Sequence, residues 1–289
     1  MRKIAIIGSR GRLGRALAIS LKNKAQVLTF DRPDFDLSDS QNIYRLLTQE
    51  PVDVIINCAA LTQVDYCESH EAEANQLNGY AAESIANAAK HLDAKLIHFS
   101  TDFVFSGDQE APYTEEDEPC PISVYGSSKL LGERLIQQAH ENHAIFRISW
   151  LFGAQKPAFP EWVLEQAKTR TEPLSIVGDK WGCVTCAEDI VEALQPVILG
   201  EIDCRGTYHL CNPGTLSWSD YGRCVIEAAV AAGLQLSMTT VHDIKLSDMS
   251  FFEAKRPIYS SLNVNKFSND TGIRLSTGKD AINQHINRH

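Results

Sequence analysis

The chain of 289 residues has no long apolar run, no block of like charge and no low-complexity tract. Its first apolar run, Ile4 to Ile7, is far shorter than a membrane span or the core of a signal peptide. Acidic residues outnumber basic ones by 37 to 27, and the net charge of -10 repels nucleic acid and anionic membrane surfaces. We therefore expect a folded cytoplasmic protein that has no nucleic-acid or membrane partner.

Cysteines number eight, but only Cys183 and Cys186 form a CxxC motif. A metal site would need a second pair or histidines at ligand spacing, and a redox site would place the pair at the start of a helix after a strand. Neither context is present, so we predict reduced, structural thiols and no metal.

Short apolar strands alternate with helical patterns through the first 150 residues. "KIAIIG", "AQVLTFD", "VDVIINCAA", "AKLIHFST" and "AIFRISW" read as strands, and helices are expected at about 40–49, 71–91 and 124–140. Nearly continuous apolar strands with intervening helices predict an α/β fold, with a doubly wound parallel sheet covered on both faces. We expect residues 1–150 to form a dinucleotide-binding domain. Residues 151–289 are expected to form a smaller, mainly substrate-binding region that is interleaved with the sheet and has no clean linker.

The stretch "GSRGRLG" places Gly8, Gly11 and Gly14 directly after the first strand and at the start of a helix that includes Leu13. Glycines in this context allow a tight turn and close approach of a pyrophosphate to the helix N-terminus. Asp31 ends the second strand, about 17 residues after the last glycine, where a carboxylate can bind ribose hydroxyls. The pattern predicts a Rossmann-type dinucleotide site.

Signals for the choice of cofactor conflict. Asp31 suits NADH, whereas Arg10, Arg12 or Arg32 could bind the additional phosphate of NADPH. We expect NADPH because reductive biosynthesis normally uses it, and NADH remains an alternative. The following residues "DLS", which include Asp36 and Leu37, either lie beside the adenine ring or cap the next helix.

"SVYGSSKLLGE", residues 123–133, reads as the beginning of a helix with Tyr125 and Lys129 four residues apart. At this spacing both side chains lie on one helix face. A nearby positive charge favours the phenolate and lowers a tyrosine pKa that is otherwise about 10. The pair predicts a tyrosine that can act as an acid at neutral pH, although an amphipathic helix can contain the same spacing by chance.

With these motifs the chain resembles the extended short-chain dehydrogenase/reductases, and within them most closely the dTDP-4-dehydrorhamnose reductase family. The resemblance covers nearly the whole chain and is carried by "GSRGRLG", "NCAALTQVDYCE", "HFSTDFVFSG", "VYGSSKLLGE", "FRISWLFG" and "KRPIYSSLNVNKF". It implies reduction of the C4 ketone of a nucleotide-activated 6-deoxy-4-keto sugar, such as dTDP-4-dehydro-L-rhamnose, by a nicotinamide cofactor. It is also compatible with a homodimer.

The resemblance further implies roles for individual residues. Tyr125 would protonate the ketone oxygen, Lys129 would hold the nicotinamide ribose and lower the phenol pKa, and Thr101 would hydrogen-bond the ketone oxygen. Three small residues, Cys58, Ala59 and Ala60, would pass close to the cofactor. The implied sugar-pocket residues are Thr62, Val64, Asp65, Asp102, Phe103, Trp150 and Arg256. Core packing is an equally good explanation for the tryptophan.

Two positions depart from the family pattern and leave the exact sugar nucleotide open. Val184 stands where the family usually has proline, and Tyr259 stands where it typically has asparagine. Two other functions are compatible with the residues. An epimerase or dehydratase would need an additional acid or base near "STDFVFSG", where only Asp102 is present. A regulatory subunit would bind NADP and a partner enzyme without turnover.

Overall fold

The computed structural model describes residues 1–154 and 156–288, and within them the central feature is a six-stranded parallel sheet with strand order β10-β5-β4-β3-β1-β2. Every neighbouring pair in this sheet is parallel, which confirms the predicted doubly wound architecture. The strands of the described chain are β1 (Lys3–Ile7), β2 (Gln26–Phe30), β3 (Val54–Asn57), β4 (Lys95–Thr101), β5 (His143–Ile148), β6 (Leu151–Phe152), β7 (Leu174–Val177), β8 (Trp181–Gly182), β9 (Thr185–Cys186), β10 (Gly206–His209), β11 (Leu216–Ser217) and β12 (Val241–Ile244).

Helices cover both faces of the sheet. They are α1 (Arg12–Leu21), α2 (Ser40–Leu47), α3 (Val64–Ser69), α4 (Glu71–Ala74), α5 (Ala81–His91), α6 (Val124–Ala139), α7 (Phe159–Thr169), α8 (Ala187–Leu199), α9 (Trp218–Ala231), α10 (Asn265–Thr271) and α11 (Gly278–Asn287). One face packs against α1 and α8, and the other packs against α2, α5 and α6. Two layers of helices leave the central strands with no solvent-facing side, so all seven residues of β4 are buried.

The second half of the chain builds a smaller core of its own from α7, α9 and α11, together with the parallel pair β7 and β12. It also returns to the first half, because β10 completes the edge of the central sheet beside β5 and α8 packs against α1. The division at residue 150 stays a prediction, since the sheet and its covering layer both take elements from beyond it.

The helix predicted over 71–91 is observed over that span, with one change of winding in its interior. A π-helical turn at Asn75–Tyr80 lies between α4 and α5, and such turns are frequent at functional sites. Here it brings Asn78 against α6, where the Asn78 amide donates to Ser128 Oγ at 3.0 Å. A Cβ at Gly132 of α6 would lie 2.3 Å from the Asn78 carbonyl oxygen. Only glycine allows this approach, which fixes the helix that carries Tyr125 and Lys129.

Candidate active site

A cleft of about 830 Å³ opens at the carboxyl ends of the central strands, where doubly wound sheets bind ligands. Most of the residues predicted from the sequence meet there. They are Gly8, Arg10, Gly11, Arg12, Leu13, Asp31, Arg32, Leu37, Cys58, Ala59, Ala60, Thr62, Val64, Thr101, Asp102, Phe103, Tyr125, Lys129 and Trp150. Four predicted residues, Gly14, Asp36, Asp65 and Arg256, are not part of this lining.

The glycine loop has the shape that a pyrophosphate needs. Gly8 has a φ of +77°, and a Cβ there would lie 3.0 Å from Ala59 on the neighbouring strand end. Gly14 lies behind the loop, where a Cβ would come within 2.2 Å of the Gly8 carbonyl oxygen. Helix α1 begins after Gly11, which supplies no side-chain cap to the first amide groups. The loop and helix N-terminus therefore fit the phosphates of a dinucleotide.

The Asp31 carboxylate is bonded to the glycine loop, whereas the side chains of two nearby arginines are exposed to solvent. The Asp31 carboxylate accepts hydrogen bonds from the Arg10 amide at 2.9 Å and from the Ser9 hydroxyl, so it braces the glycine loop. Arg10 and Arg32 are exposed, and the Arg10 guanidinium donates to the Arg32 carbonyl at 3.1 Å. These two arginines lie at the edge of the adenosine end of the cleft, within reach of solvent.

Arg12 is engaged elsewhere, contrary to its expected availability for a phosphate. Its guanidinium donates to the backbone carbonyls of Gly153, Lys156 and Pro157. Burial lowers its pKa, although acidic groups nearby oppose that effect. Arg12 therefore ties α1 to the segment after β6, because three carbonyl acceptors already occupy its fork of donors.

Asp36 serves the local turn that precedes α2. Its carboxylate accepts the Ser38 amide at 2.9 Å, and this hydrogen bond holds its pKa below the usual range. Asp36 therefore holds only this turn, because the cap of α2 is Asp39, whose carboxylate accepts the Asn42 amide at 2.9 Å. Leu37 instead is buried and lines the cleft.

Tyr125 lies in the first turn of α6, which begins after Ser123 accepts the Gly126 amide at 3.2 Å. The phenol is 9% exposed and packs edge to face on Phe103. Burial raises the pKa of Tyr125, and its hydrogen bond with Thr101 partly opposes the rise.

Lys129 lies one turn further along α6 and points at the sheet. Its ammonium donates to the Phe99 carbonyl at 2.8 Å and lies 3.3 Å from His98 Nε2. Burial lowers the pKa of Lys129 to about 8. The expectation that Lys129 lowers the Tyr125 pKa is not met in this structure, because burial dominates both groups and the ammonium is aimed at β4.

Thr101 ends β4, and three groups meet its hydroxyl. The hydroxyl donates to Asp102 Oδ1 at 3.1 Å, accepts the Phe103 amide at 3.2 Å and hydrogen-bonds with the Tyr125 phenol. The other Asp102 oxygen accepts from Ser260 Oγ at 2.6 Å. The predicted hydrogen bond from Thr101 to a substrate ketone stays a prediction.

Asp65 and Arg256 were both expected in the sugar pocket, and the structure pairs them with each other. The Arg256 guanidinium donates to both carboxylate oxygens, at 3.0 and 2.5 Å, and lies over the Phe252 ring. This hydrogen bond lowers the Asp65 pKa to about 2. The pair ties α3 to the segment before Ser260, beside the cleft and outside its lining.

Unpartnered polar atoms mark the floor of the cleft. Among the described residues, buried side-chain nitrogen or oxygen atoms without a hydrogen-bond partner occur at Ser100, Ser149, Trp150 and Tyr221. The first three line the cleft. Trp150 also has a φ of +40°, an unusual backbone conformation for a bulky residue. Orphaned polar groups in a cleft fit a polar ligand such as a sugar.

Sequence reasoning missed Lys180 and Ser260, which are completely buried beneath the cleft. Lys180 lies in "GDKWG", a segment that reads as a polar loop. The only feature of the sequence that could have pointed to Lys180 is its position just before "GCVT", a stretch that belongs to the family pattern. In the described part of the chain no group of three or more histidine, cysteine, aspartate or glutamate side chains is arranged to hold a metal.

The parallel sheet and its cleft place the chain in the class of extended short-chain dehydrogenase/reductases. More narrowly, all of residues 1–289 match the family described as the RmlD substrate binding domain, and the chain belongs to that family. No helix of residues 1–154 and 156–288 has both the length and the apolar character to cross a bilayer.

Several relatives carry the same name. A dTDP-4-dehydrorhamnose reductase of Sinorhizobium fredii is 35% identical over 285 residues, which cover 96% of this chain and 95% of that protein. The crystal structure of such a reductase from Clostridium acetobutylicum has a TM-score of 0.89 at 30% identity and covers 99% of both chains. The Bacillus anthracis dTDP-4-dehydrorhamnose reductase, solved with NADP, has a TM-score of 0.90 at 27% identity, with 100% of this chain and 98% of that chain covered.

Proposed function

We propose that this protein uses NADPH to reduce the C4 ketone of a nucleotide-activated 6-deoxy-4-keto sugar, dTDP-4-dehydro-L-rhamnose in particular. The observation that carries the proposal is the meeting of Thr101, Tyr125 and Lys129 in the lining of one cleft, together with the glycine loop, in a chain of this family. The curated relatives are dTDP-4-dehydrorhamnose reductases. A cytoplasmic location and a homodimer remain predictions from the sequence.

The residues divide the work as follows. Gly8, Gly11 and the start of α1 would hold the pyrophosphate, with Arg10 and Arg32 placed to receive the additional phosphate of NADPH. Small side chains at Cys58 to Ala60 line the same cleft. When bound, the reduced nicotinamide supplies the hydride.

Tyr125 donates the proton that the reduction requires. Its phenol has a raised pKa, so it is fully protonated at neutral pH and ready to give its proton to an oxygen that becomes negative. Thr101 orients the phenol by their shared hydrogen bond. The Lys129 ammonium, one turn along the same helix, donates to the Phe99 carbonyl and would hold the hydroxyls of the nicotinamide ribose.

The sugar would meet the unpartnered polar groups at the cleft floor. Ser149 Oγ and Trp150 Nε1 are buried without partners, and sugar hydroxyls can both donate and accept hydrogen bonds. Trp150 is half-buried in this lining, and its ring lies parallel to the Tyr221 ring at 6.3 Å. This combination of an aromatic face and adjacent polar atoms is suited to a pyranose ring.

The test is a turnover assay with the purified protein, NADPH and dTDP-4-dehydro-L-rhamnose, followed by loss of reduced nicotinamide absorbance. We expect cofactor consumption and formation of dTDP-L-rhamnose. Tyr125→Phe should lower kcat by about 10² to 10⁴-fold while the Kd for NADPH changes little, since only the acid is removed.

The matched control is Tyr44→Phe, which removes an exposed phenol from α2, outside the cleft. It should retain wild-type turnover. Tight NADPH binding without consumption of any 4-keto-6-deoxy sugar nucleotide would contradict the proposal and favour a regulatory subunit. Loss of NADPH binding in Tyr125→Phe would contradict the acid role.

A further inference from the structure

Lys180 is a buried cation beneath the reacting end of the cleft, in the segment between β7 and β8. It is completely buried, and its ammonium donates to the Pro257 carbonyl at 2.6 Å and to Ser260 Oγ at 3.5 Å. Its remaining surroundings are aromatic, with the rings of Phe103, Trp150 and Trp218 centred 5.4 to 5.8 Å away. A charge in such a place is costly unless a counter-charge lies near it.

Asp102 supplies that counter-charge. Its side chain is 2% exposed, and one carboxylate oxygen accepts from Ser260 Oγ at 2.6 Å. The Ser260 hydroxyl therefore links the Lys180 ammonium to the carboxylate. The other oxygen of Asp102 accepts from Thr101 Oγ1 at 3.1 Å. A continuous hydrogen-bonded chain thus runs from Lys180 through Ser260 and Asp102 to Thr101.

We propose that Lys180 is a positioning residue that keeps Asp102 ionised and thereby fixes the direction of the Thr101 hydroxyl beside Tyr125. This inference rests on the proposed reductase function. An ionised carboxylate can only accept hydrogen bonds, so both Ser260 and Thr101 must donate to it. The Thr101 oxygen accepts the Phe103 amide at 3.2 Å and turns its remaining lone pair toward the Tyr125 hydroxyl, which holds that group at the cleft until a substrate oxygen takes its proton.

Loss of the ammonium would reverse this arrangement. Burial raises the pKa of Asp102, and the charge of Lys180 is the largest influence that opposes the rise. A protonated Asp102 could donate to Thr101 or Ser260, and Thr101 would lose its fixed direction. The other titratable groups that interact with this pair are Arg256, Tyr125, Cys183 and Cys211.

Infrared spectroscopy of the full-length protein tests the charge state without turnover. The difference spectrum of Lys180→Met minus wild type at pH 7 should show a new band from a protonated carboxylic acid. The same comparison in an Asp102→Asn background should lack that band, because its source is gone. Identical carboxyl regions in Lys180→Met and wild type would overturn the proposal, whether or not the wild type turns over a keto sugar.

Kinetics test the consequence. Lys180→Met should lower kcat roughly ten-fold or more with little change in KM for NADPH, because Lys180 does not line the cleft. In the Asp102→Asn background the same substitution should cause no further loss, since the two residues act as one unit. Equal fold losses in both backgrounds would show a merely structural role and overturn the proposal.

Two further variants keep the test independent of folding. Ser260→Ala removes only the linking hydroxyl. It should lower kcat in the wild-type background and cause no further loss of kcat in the Asp102→Asn background. Equal fold losses of kcat in the two backgrounds would overturn the proposal. Lys95→Met is the matched control, since Lys95 is a buried lysine at the opposite end of β4 that pairs with Asp203. Its kcat should equal that of the wild type, and a loss as large as that of Lys180→Met would refute a specific role for Lys180.

Discussion

Replacement of Lys129 by methionine should remove one component of the rise in the chain's stability between pH 7 and 10; Lys180, whose pKa burial also lowers to about 8, contributes another. The pKa of Lys129 is about 8 in the folded chain, lowered chiefly by burial, against 10.5 for lysine in water. Between these values the unfolded chain binds a proton that the folded chain does not, so raising the pH favours the folded state. The lowered pKa of Lys129 costs the folded state about 3 kcal/mol at pH 7, and this cost falls below about 1 kcal/mol at pH 10.

The assay is urea unfolding of wild type and Lys129→Met at several pH values, without cofactor. The free energy of unfolding of the wild type should rise relative to that of the variant by about 2 to 3 kcal/mol from pH 7 to pH 10. Packing changes cancel in this trend because they do not depend on pH, and so do titrating groups that do not interact with Lys129; Glu133 and His98 do interact with it. Lys22→Met, which removes an exposed lysine just after α1, is the control. A difference that stays constant, or that moves in the opposite direction, would refute the reasoning.

Three other substitutions test a buried ion pair of α6 and the glycine-loop end of the cleft. Glu133→Gln breaks the buried pair with Arg147 and should lower the free energy of unfolding, measured in urea, by about 3 to 5 kcal/mol. The control Glu118→Gln, in an exposed pair with Arg134, should lower it by about 1 kcal/mol or less. Arg32→Ala should raise the Kd for NADPH about ten-fold in a fluorescence titration and leave that for NADH nearly unchanged; equal effects on both cofactors would exclude a phosphate contact. Gly14→Ala places a Cβ 2.2 Å from a loop carbonyl oxygen and should abolish binding of either cofactor, as calorimetry would show.

The sequence predicted those parts of the site that depend on local order. A strand, a glycine turn and a helix follow one another within the first 21 residues, so their order along the chain was enough to predict that Gly8 and Gly11 lie in the turn that lines the cleft. The four-residue spacing of Tyr125 and Lys129 likewise required only one helix. Parallel strands then carry these local units to a common edge of the sheet, which is why the cleft could be predicted as well.

Contacts between distant segments were not predictable in the same way. Arg12 donates to a carbonyl 141 positions along the chain, and Asp65 pairs with Arg256 across 191 positions. Each of these residues looked available for a ligand because its partner is not in its own element. Lys180 was missed for a related reason: its loop is polar in sequence, and only the packing of three aromatic rings around it makes the charge significant.

The charge of Lys129 also depends on a backbone amide on the neighbouring strand end. The Ala59 amide can only donate, so the side-chain atom of Asn57 that faces it must be the oxygen. The side-chain nitrogen of Asn57 then faces His98 Nδ1 at 3.1 Å and must donate to it. A neutral His98 then carries its proton on Nε2, which faces the Lys129 nitrogen at 3.3 Å. Two donors that face each other disfavour an ammonium, because only a neutral amine can accept. Asn57 and His98 lie directly opposite each other in the β3–β4 register. The pairing of two central strands therefore opposes the charge of Lys129, and the site maintains a functional cation at the expense of stability.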